Sequence, residues 1–213
     1  MAGQQSKGKC SFCGTIFGKG GMRRHLESCK DREIKPGKDE IFHIVVECGP
    51  MYWMHLDVLG SATLKDMDKF LRFTWLECCG HLSAFTIQGV RYMSDPYDSE
   101  DKGMKNAEIS KVICPGMKFI HEYDFGTTTE LDLRVLSERK GKLLNDVEIL
   151  ARNEPPEFIC DLCGKPATEV CTMCVYEDKG LLCDECAEKH ECGEEMLLPV
   201  VNSPRWGVCG YVG

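Results

Sequence analysis

Cysteines recur in this chain two residues apart, the spacing at which two thiolates can turn back on one metal ion. Seven of them fall within 33 residues toward the C-terminus: Cys160-x2-Cys163, Cys171-x2-Cys174 and Cys183-x2-Cys186, followed by His190-x-Cys192. A second cluster opens the chain, with Cys10-x2-Cys13, eleven residues, His25, three residues and Cys29. Soft sulfur and imidazole nitrogen in groups of four suit tetrahedral Zn2+. Twelve such ligands, four per ion, predict three zinc ions. Shells filled by protein ligands leave no position for a catalytic water, which marks structural rather than hydrolytic zinc.

The first cluster matches a C2HC finger. Phe17 follows Cys13 by four residues and Met22 precedes His25 by three, where a small ββα finger needs its two core side chains. Gly18-Lys19-Gly20-Gly21 is expected to turn the chain, and Met22–Lys30 to form a helix carrying His25 and Cys29 on one face. That helix would display Lys19, Arg23, Arg24 and Lys30 as candidate phosphate or groove contacts.

Eight ligands in the C-terminal cluster imply two ions, paired sequentially or interleaved. Interleaving would join Cys160, Cys163, Cys183 and Cys186 on one ion and Cys171, Cys174, His190 and Cys192 on the other. Ligand order and loop lengths resemble the B-box type of cross-braced zinc domain, which implies interleaving and a surface offered to another protein. Cys209, in Gly207-Val208-Cys209-Gly210, competes with Cys192 for the last position.

Charge is unevenly spread along the 213 residues, whose formal net charge is -8. Residues 1–38 carry nine Lys/Arg against three Asp/Glu, whereas residues 154–213 carry four against twelve. A basic head suits a polyanion and an acidic tail repels one, so a generic nucleic-acid binder is excluded. Fifteen cysteines, an odd number, with a histidine in each cluster favour reduced metal-binding thiols over disulfides. No basic-then-apolar leader and no run of about 18 apolar residues is present, so a cytoplasmic protein without a membrane span is expected.

Two breaks bound the elements that must hold these modules. Lys35-Pro36-Gly37-Lys38 and Asn153-Glu154-Pro155-Pro156-Glu157 combine helix breakers with charge. They suggest a finger at 1–36, a middle domain at 37–154 and a cysteine-rich module at 155–213. The middle reads as α+β, a mixed or antiparallel sheet with a packed helix. Ile41–Cys48 and Tyr52–Leu59 form an antiparallel pair around Gly49-Pro50. Thr63 and Asp66 make a capping-box pattern before Leu64, Met67, Phe70, Leu71 and Trp75, which predicts a helix from Leu64 to about Leu76. Strands are expected at Leu82–Ile87, Val90–Met93 and Val147–Ala151, a hairpin at Met117–Phe125 and Glu130–Leu136, and an exposed loop over Ser94–Asn106. Trp53, Trp75 and His121 read as core residues, and Asp124 as the cap of a turn. Cys48, Cys78, Cys79 and Cys114, without a partner at metal spacing, read as small buried hydrophobes.

The phrase Lys118-Phe119-Ile120-His121-Glu122-Tyr123-Asp124-Phe125-Gly126, with Tyr52-Trp53 and His81-Leu82-Ser83-Ala84-Phe85, resembles the plasmid pRi open-reading-frame-three-like family over about residues 38–152. The resemblance implies an α+β domain with relatives among passenger genes of transposable elements, and no defined activity. This chain has Thr127, Thr129 and Leu131 where the family continues Asp, Trp, His, and Met54-His55 where it has an Arg pair.

Three function classes follow. A zinc-binding, non-catalytic binding or adaptor protein with a protein partner comes first. A DNA-binding protein associated with a mobile element, acting through the basic finger, is the alternative. An enzyme using the middle domain is third, since no glycine-rich phosphate loop, nucleophile elbow or His-Glu-x-x-His is present.

Overall fold

Ten strands share one sheet in the computed structural model of the chain, which describes residues 6–97, 101–177 and 179–213. The elements in chain order are β1 (Lys7–Cys10), β2 (Ile16–Gly18), α1 (Lys19–Ser28), β3 (Asp39–Cys48), β4 (Tyr52–Leu59), α2 (Leu64–Leu71), β5 (Ser83–Ile87), β6 (Val90–Met93), β7 (Lys102–Gly103), α3 (Ile109–Val112), β8 (Lys118–Tyr123), β9 (Thr129–Gly141) and β10 (Val147–Asn153). The sheet runs β2-β1-β10-β4-β3-β9-β8-β5-β6-β7, and among the described residues only the β6–β7 pair is parallel. This is the α+β class expected from sequence. The stretch Ser94–Asn106 carries β7 and a 3-10 turn at Met104–Asn106, and residues 98–100 of it lie outside the described part.

Contacts divide the chain into two units, Met1–Phe73 with His81–Glu154 and Thr74–Gly80 with Pro155–Gly213. The sheet belongs to the first. β3 lies between β4 and β9 and is buried without interruption from Ile41 to Val46, which accounts for its continuous apolar run. β9 instead alternates buried and exposed residues over Thr129–Val135, as a strand with one wet face does.

The finger does not stand apart from this sheet. β1 pairs with β10 from Gly8 opposite Asn153 to Cys10 opposite Ala151. Trp53, on β4, packs with Cys10, Met22, Leu26, Leu150 and Ala151, and its Nε1 donates to Ser6 Oγ at 2.9 Å. Gly8 is required there, because a Cβ would lie 2.4 Å from both the Trp53 ring and the Arg152 carbonyl. A segment reading Lys-Gly-Lys-Cys gives no strand signal of its own, so its pairing partner is what makes it a strand.

α2 begins as its capping box requires. Asp66 N donates to Thr63 Oγ1 at 3.2 Å and Thr63 N to Asp66 Oδ2 at 3.0 Å. Its last turn departs from the α-form: Arg72–Leu76 is a π-turn. Asp68 points into the core from α2. Its Oδ1 accepts from Ser83 Oγ at 2.5 Å and from His121 Nε2 at 3.0 Å, while Lys65 Nζ lies 3.3 Å from Oδ2. His121 is therefore a core histidine, as expected, but satisfied at Nε2 alone: its buried Nδ1 has no hydrogen-bond partner among the described residues. Ser83 and His121 both use one carboxylate oxygen and all three side chains are fully buried, so the trio ties α2 to β5 and β8. Asp124, at φ +64, accepts from Gly126 N and Thr127 N and caps the β8–β9 turn.

Two further buried histidines face each other across β3 and β4. His43 Nε2 and His55 Nδ1 are 2.9 Å apart, so one ring donates and the other accepts as a neutral base. Burial pushes His43 down to about 4 and His55 down to about 3. The unfolded chain, with histidines near ~6.5, then takes up protons first. Stability should fall as pH drops from about 6.5 toward 4, by at most about 1.4 kcal/mol per pH unit for each histidine. Urea unfolding at pH 7 and pH 5 should show wild type losing up to about 4 kcal/mol more than a variant carrying His43→Leu and His55→Leu. Equal losses would remove the pair from the acid response.

Candidate metal centres

The first cluster is assembled by three elements of the sheet unit. β1 ends on Cys10, the turn after it carries Cys13, and α1 presents His25 with Cys29 as its C-terminal cap. Gly14 N donates to Cys10 O and Cys10 N to Thr15 O, both at 3.0 Å. This closed turn needs Gly14 at φ +70 and aims both sulfurs inward. Cys13 Sγ lies 3.2 Å from His25 Nε2 and Cys10 Sγ 3.9 Å from Cys29 Sγ. All four ligand atoms lie within 4.8 Å of one another. Phe17 stacks on the His25 ring at 4.5 Å between centroids. The glycines of Gly18-Lys19-Gly20-Gly21 do not turn the chain as expected; α1 starts at Lys19 and runs through Gly20 and Gly21.

The second unit builds its centres on a three-stranded sheet, β11 (Glu169–Cys171), β12 (Leu181–Leu182) and β13 (Leu197–Pro199), with a short helix α4 (Asp184–Ala187). Cys160-Asp-Leu-Cys163-Gly164 repeats the first knuckle, with Gly164 N donating to Cys160 O at 3.0 Å and Gly164 at φ +75. Cys160 and Cys163 gather with Cys183 and Cys186, while Cys171 and Cys174 gather with His190 and Cys192. The pairs are interleaved. Cys163 and Cys183 sulfurs are 3.5 Å apart, and Cys174 Sγ lies 3.6 Å from Cys192 Sγ and 3.5 Å from His190 Nε2. Cys192, not Cys209, completes the latter group.

Thiols this close cannot all ionise unaided. The Thr15 hydroxyl, 3.2 Å away, and then the Thr15 amide hold Cys13 down to about 6. Burial opposes ionisation of Cys160, but the amides of Cys183, Leu162 and Cys163 outweigh it and bring the thiol to about 6. Burial likewise opposes Cys171, which the amides of Cys174 and Met173 and the His190 ring bring to about 7. Their neighbours move the other way: Cys192 and Cys171 push Cys174 up to about 12, and Cys163 with local burial pushes Cys186 up to about 12. A divalent cation at the centre removes that mutual repulsion. The clusters can therefore hold metal ions.

Sequence spacing missed a fourth gathering. Within the second unit Cys79 Sγ lies 3.8 Å from Cys78 Sγ and 3.7 Å from Cys209 Sγ. Cys79, Cys114 and Cys209 are exposed and Cys48 and Cys78 half-buried, so none of the four thiols read as small core residues is fully buried. Cys209-Gly210 was the one sequence signal, attached to the wrong centre. Of the finger's four basic candidates, Lys19 Nζ is held by Glu47 Oε1 at 2.8 Å and Arg23 Nε by Glu27 Oε1 at 3.5 Å. Arg24 and Lys30 are exposed.

No family model and no curated protein matches the chain. It is similar to the solved structure of a protein of unknown function from Methanosarcina mazei Go1, at 16% identity and a TM-score of 0.45 over 54% of this chain and 68% of that one.

Because Cys10 is at once a ligand and the end of β1, stripping metal from the first cluster should loosen the β1–β10 ladder. In hydrogen exchange after chelation, amides of β1 should exchange at least about tenfold faster, while those of the β3–β9 ladder keep their protection. Equal loss across both ladders would show that the sheet as a whole depends on metal.

Proposed function

We propose that the protein is a zinc-dependent, non-catalytic binding protein whose C-terminal module docks on a protein partner. The observation that carries this reading is the exposure of large apolar side chains on the metal-holding turns themselves. Leu162, directly before Cys163, is 66% exposed; Met173, directly before Cys174, is 60% exposed, and Tyr176 is 75% exposed. Exposed apolar groups on a rigid turn are what a protein interface uses. With twelve acidic and four basic residues over 154–213, a partner segment that is basic and apolar fits best.

Further support comes from the ligand sets. Each predicted centre brings four protein donors, which suits structural Zn2+ and leaves no place for a metal-bound water. None of the fifteen cysteines is joined in a disulfide, in keeping with a reducing compartment such as the cytoplasm. Among the described residues no helix is long and apolar enough to cross a membrane. The B-box likeness of the module and the likeness of the middle domain to the plasmid pRi open-reading-frame-three-like family belong to the same reading, with the sheet as scaffold. Nucleic-acid contact through the finger is the weaker reading, because two of its four cations already face carboxylates.

Elemental analysis should find zinc in at least the three predicted centres. A Leu162→Asp, Met173→Asp, Tyr176→Asp variant should keep that zinc and lose at least about tenfold of its partner in quantitative pull-downs. Retention unchanged by this variant, but abolished by nuclease or by Arg24→Glu with Lys30→Glu, would replace the protein partner with nucleic acid.

A further inference from the structure

Ten of the fifteen cysteines fall in the predicted four-ligand centres, and Cys78, Cys79 and Cys209 gather separately within the second unit. The group that spacing did not foresee contains Cys78, Cys79 and Cys209. Cys79 Sγ lies 3.8 Å from Cys78 Sγ and 3.7 Å from Cys209 Sγ. A disulfide would bring two sulfurs to about 2.0 Å. Two thiolates on one tetrahedral zinc, with bonds of about 2.3 Å, stand about 3.8 Å apart. The sulfurs therefore sit at the separation of a metal shell.

Three other observations point the same way. Cys79 and Cys209 are each followed by a glycine in the left-handed region, Gly80 at φ +84 and Gly210 at φ +68. Cys13-Gly14 and Cys163-Gly164 show the same signature in the predicted centres. Cys209 itself sits at φ +51, a conformation unfavourable for a side chain with a Cβ, and the consequence is that its sulfur reaches the other two. Around the thiols, the fully buried Arg205 donates from Nη2 toward Cys78 Sγ at 3.6 Å, and Ser203 Oγ donates to Trp75 O at 2.6 Å. Both contacts lie within the second unit and hold the 74–80 segment on the chain that carries Cys209.

We infer that Cys78, Cys79 and Cys209, gathered within the second unit, are the protein ligands of a fourth zinc site, and that it is the most labile of the four. Each predicted centre contains a fully buried thiol, whereas here Cys79 and Cys209 are exposed and Cys78 is half-buried. A competing chelator reaches this ion first. The site goes beyond the three-centre reading and fails separately from it.

Elemental analysis of the full chain, purified under reducing conditions without chelator, should give four zinc ions, and Cys209→Ser should give three. Cys114→Ser should keep four. Stepwise chelation of wild type, with maleimide labelling and peptide mapping, should leave Cys78, Cys79 and Cys209 unlabelled at the start and label them together as the first ion leaves. The exposed Cys114, labelled throughout, serves as control. Three zinc ions in wild type with Cys78, Cys79 and Cys209 labelled at once would overturn the site and leave the predicted centres standing. A Cys78–Cys79 or Cys79–Cys209 disulfide in the unreduced map would also overturn it. Fewer than three ions would remove both readings. Should Cys209→Ser fail to fold, the wild-type count and labelling order decide alone.

Discussion

Sulfur atoms 3.5–3.9 Å apart cannot share negative charge without a cation between them, and this chain places thirteen cysteines under that constraint. The alternative ways of settling such crowding are visible in the thiols themselves, some drawn down by amide donors and others forced up by their neighbours. A metal ion settles it for all members of a group at once. It also fixes the backbone, because each sulfur is tied to a turn whose hydrogen bonds close only in one geometry.

The two units meet this constraint from opposite starting points. In the cysteine-rich unit, three of the five buried residues of the core cluster are themselves ligands, namely Cys160, Cys171 and Cys183, joined by Leu182 and Ala187. So little apolar surface offsets chain entropy poorly, and a structural metal ion held by each group would contribute on the order of 10 kcal/mol of folding free energy. The sheet unit is different. Trp53, Phe85, Leu56, Ile44 and Tyr123 are fully buried, and inside that core Asp68 accepts from Ser83 and His121 while His43 pairs with His55. Its buried polar groups act as registration pins, because a slip of one residue would strand them without partners.

What the sequence made legible was local. The C-x-x-C-G knuckles, the Thr63–Asp66 box, the Gly49 and Gly89 turns and the Asp124 cap are all decided by residues within a few positions of one another. Cys192 follows His190 closely, but nothing local distinguishes it from Cys209; the β11–β13 pairing does, by bringing Thr172 beside Met196. Cys78 and Cys79 were invisible as ligands because adjacent cysteines fit no knuckle and the third thiol lies 130 residues away. The finger looked separate for a related reason. Its polar Lys-Gly-Lys-Cys strand is short, and the sheet edge that accepts it comes more than a hundred residues later.

That edge has a consequence for how the protein survives without metal. β10 is long and carries Val147, Ile149, Leu150 and Ala151, and β1, with β2 beyond it, is what occupies its outer hydrogen-bonding side. An uncovered strand of this kind is a template for pairing with another chain. During synthesis the finger emerges before β10, and an ion captured at that stage would keep the cover ready. In a metal-starved cell the cover would be missing when β10 arrives. The cost of starvation would then be measured as insoluble protein, beyond any loss of binding.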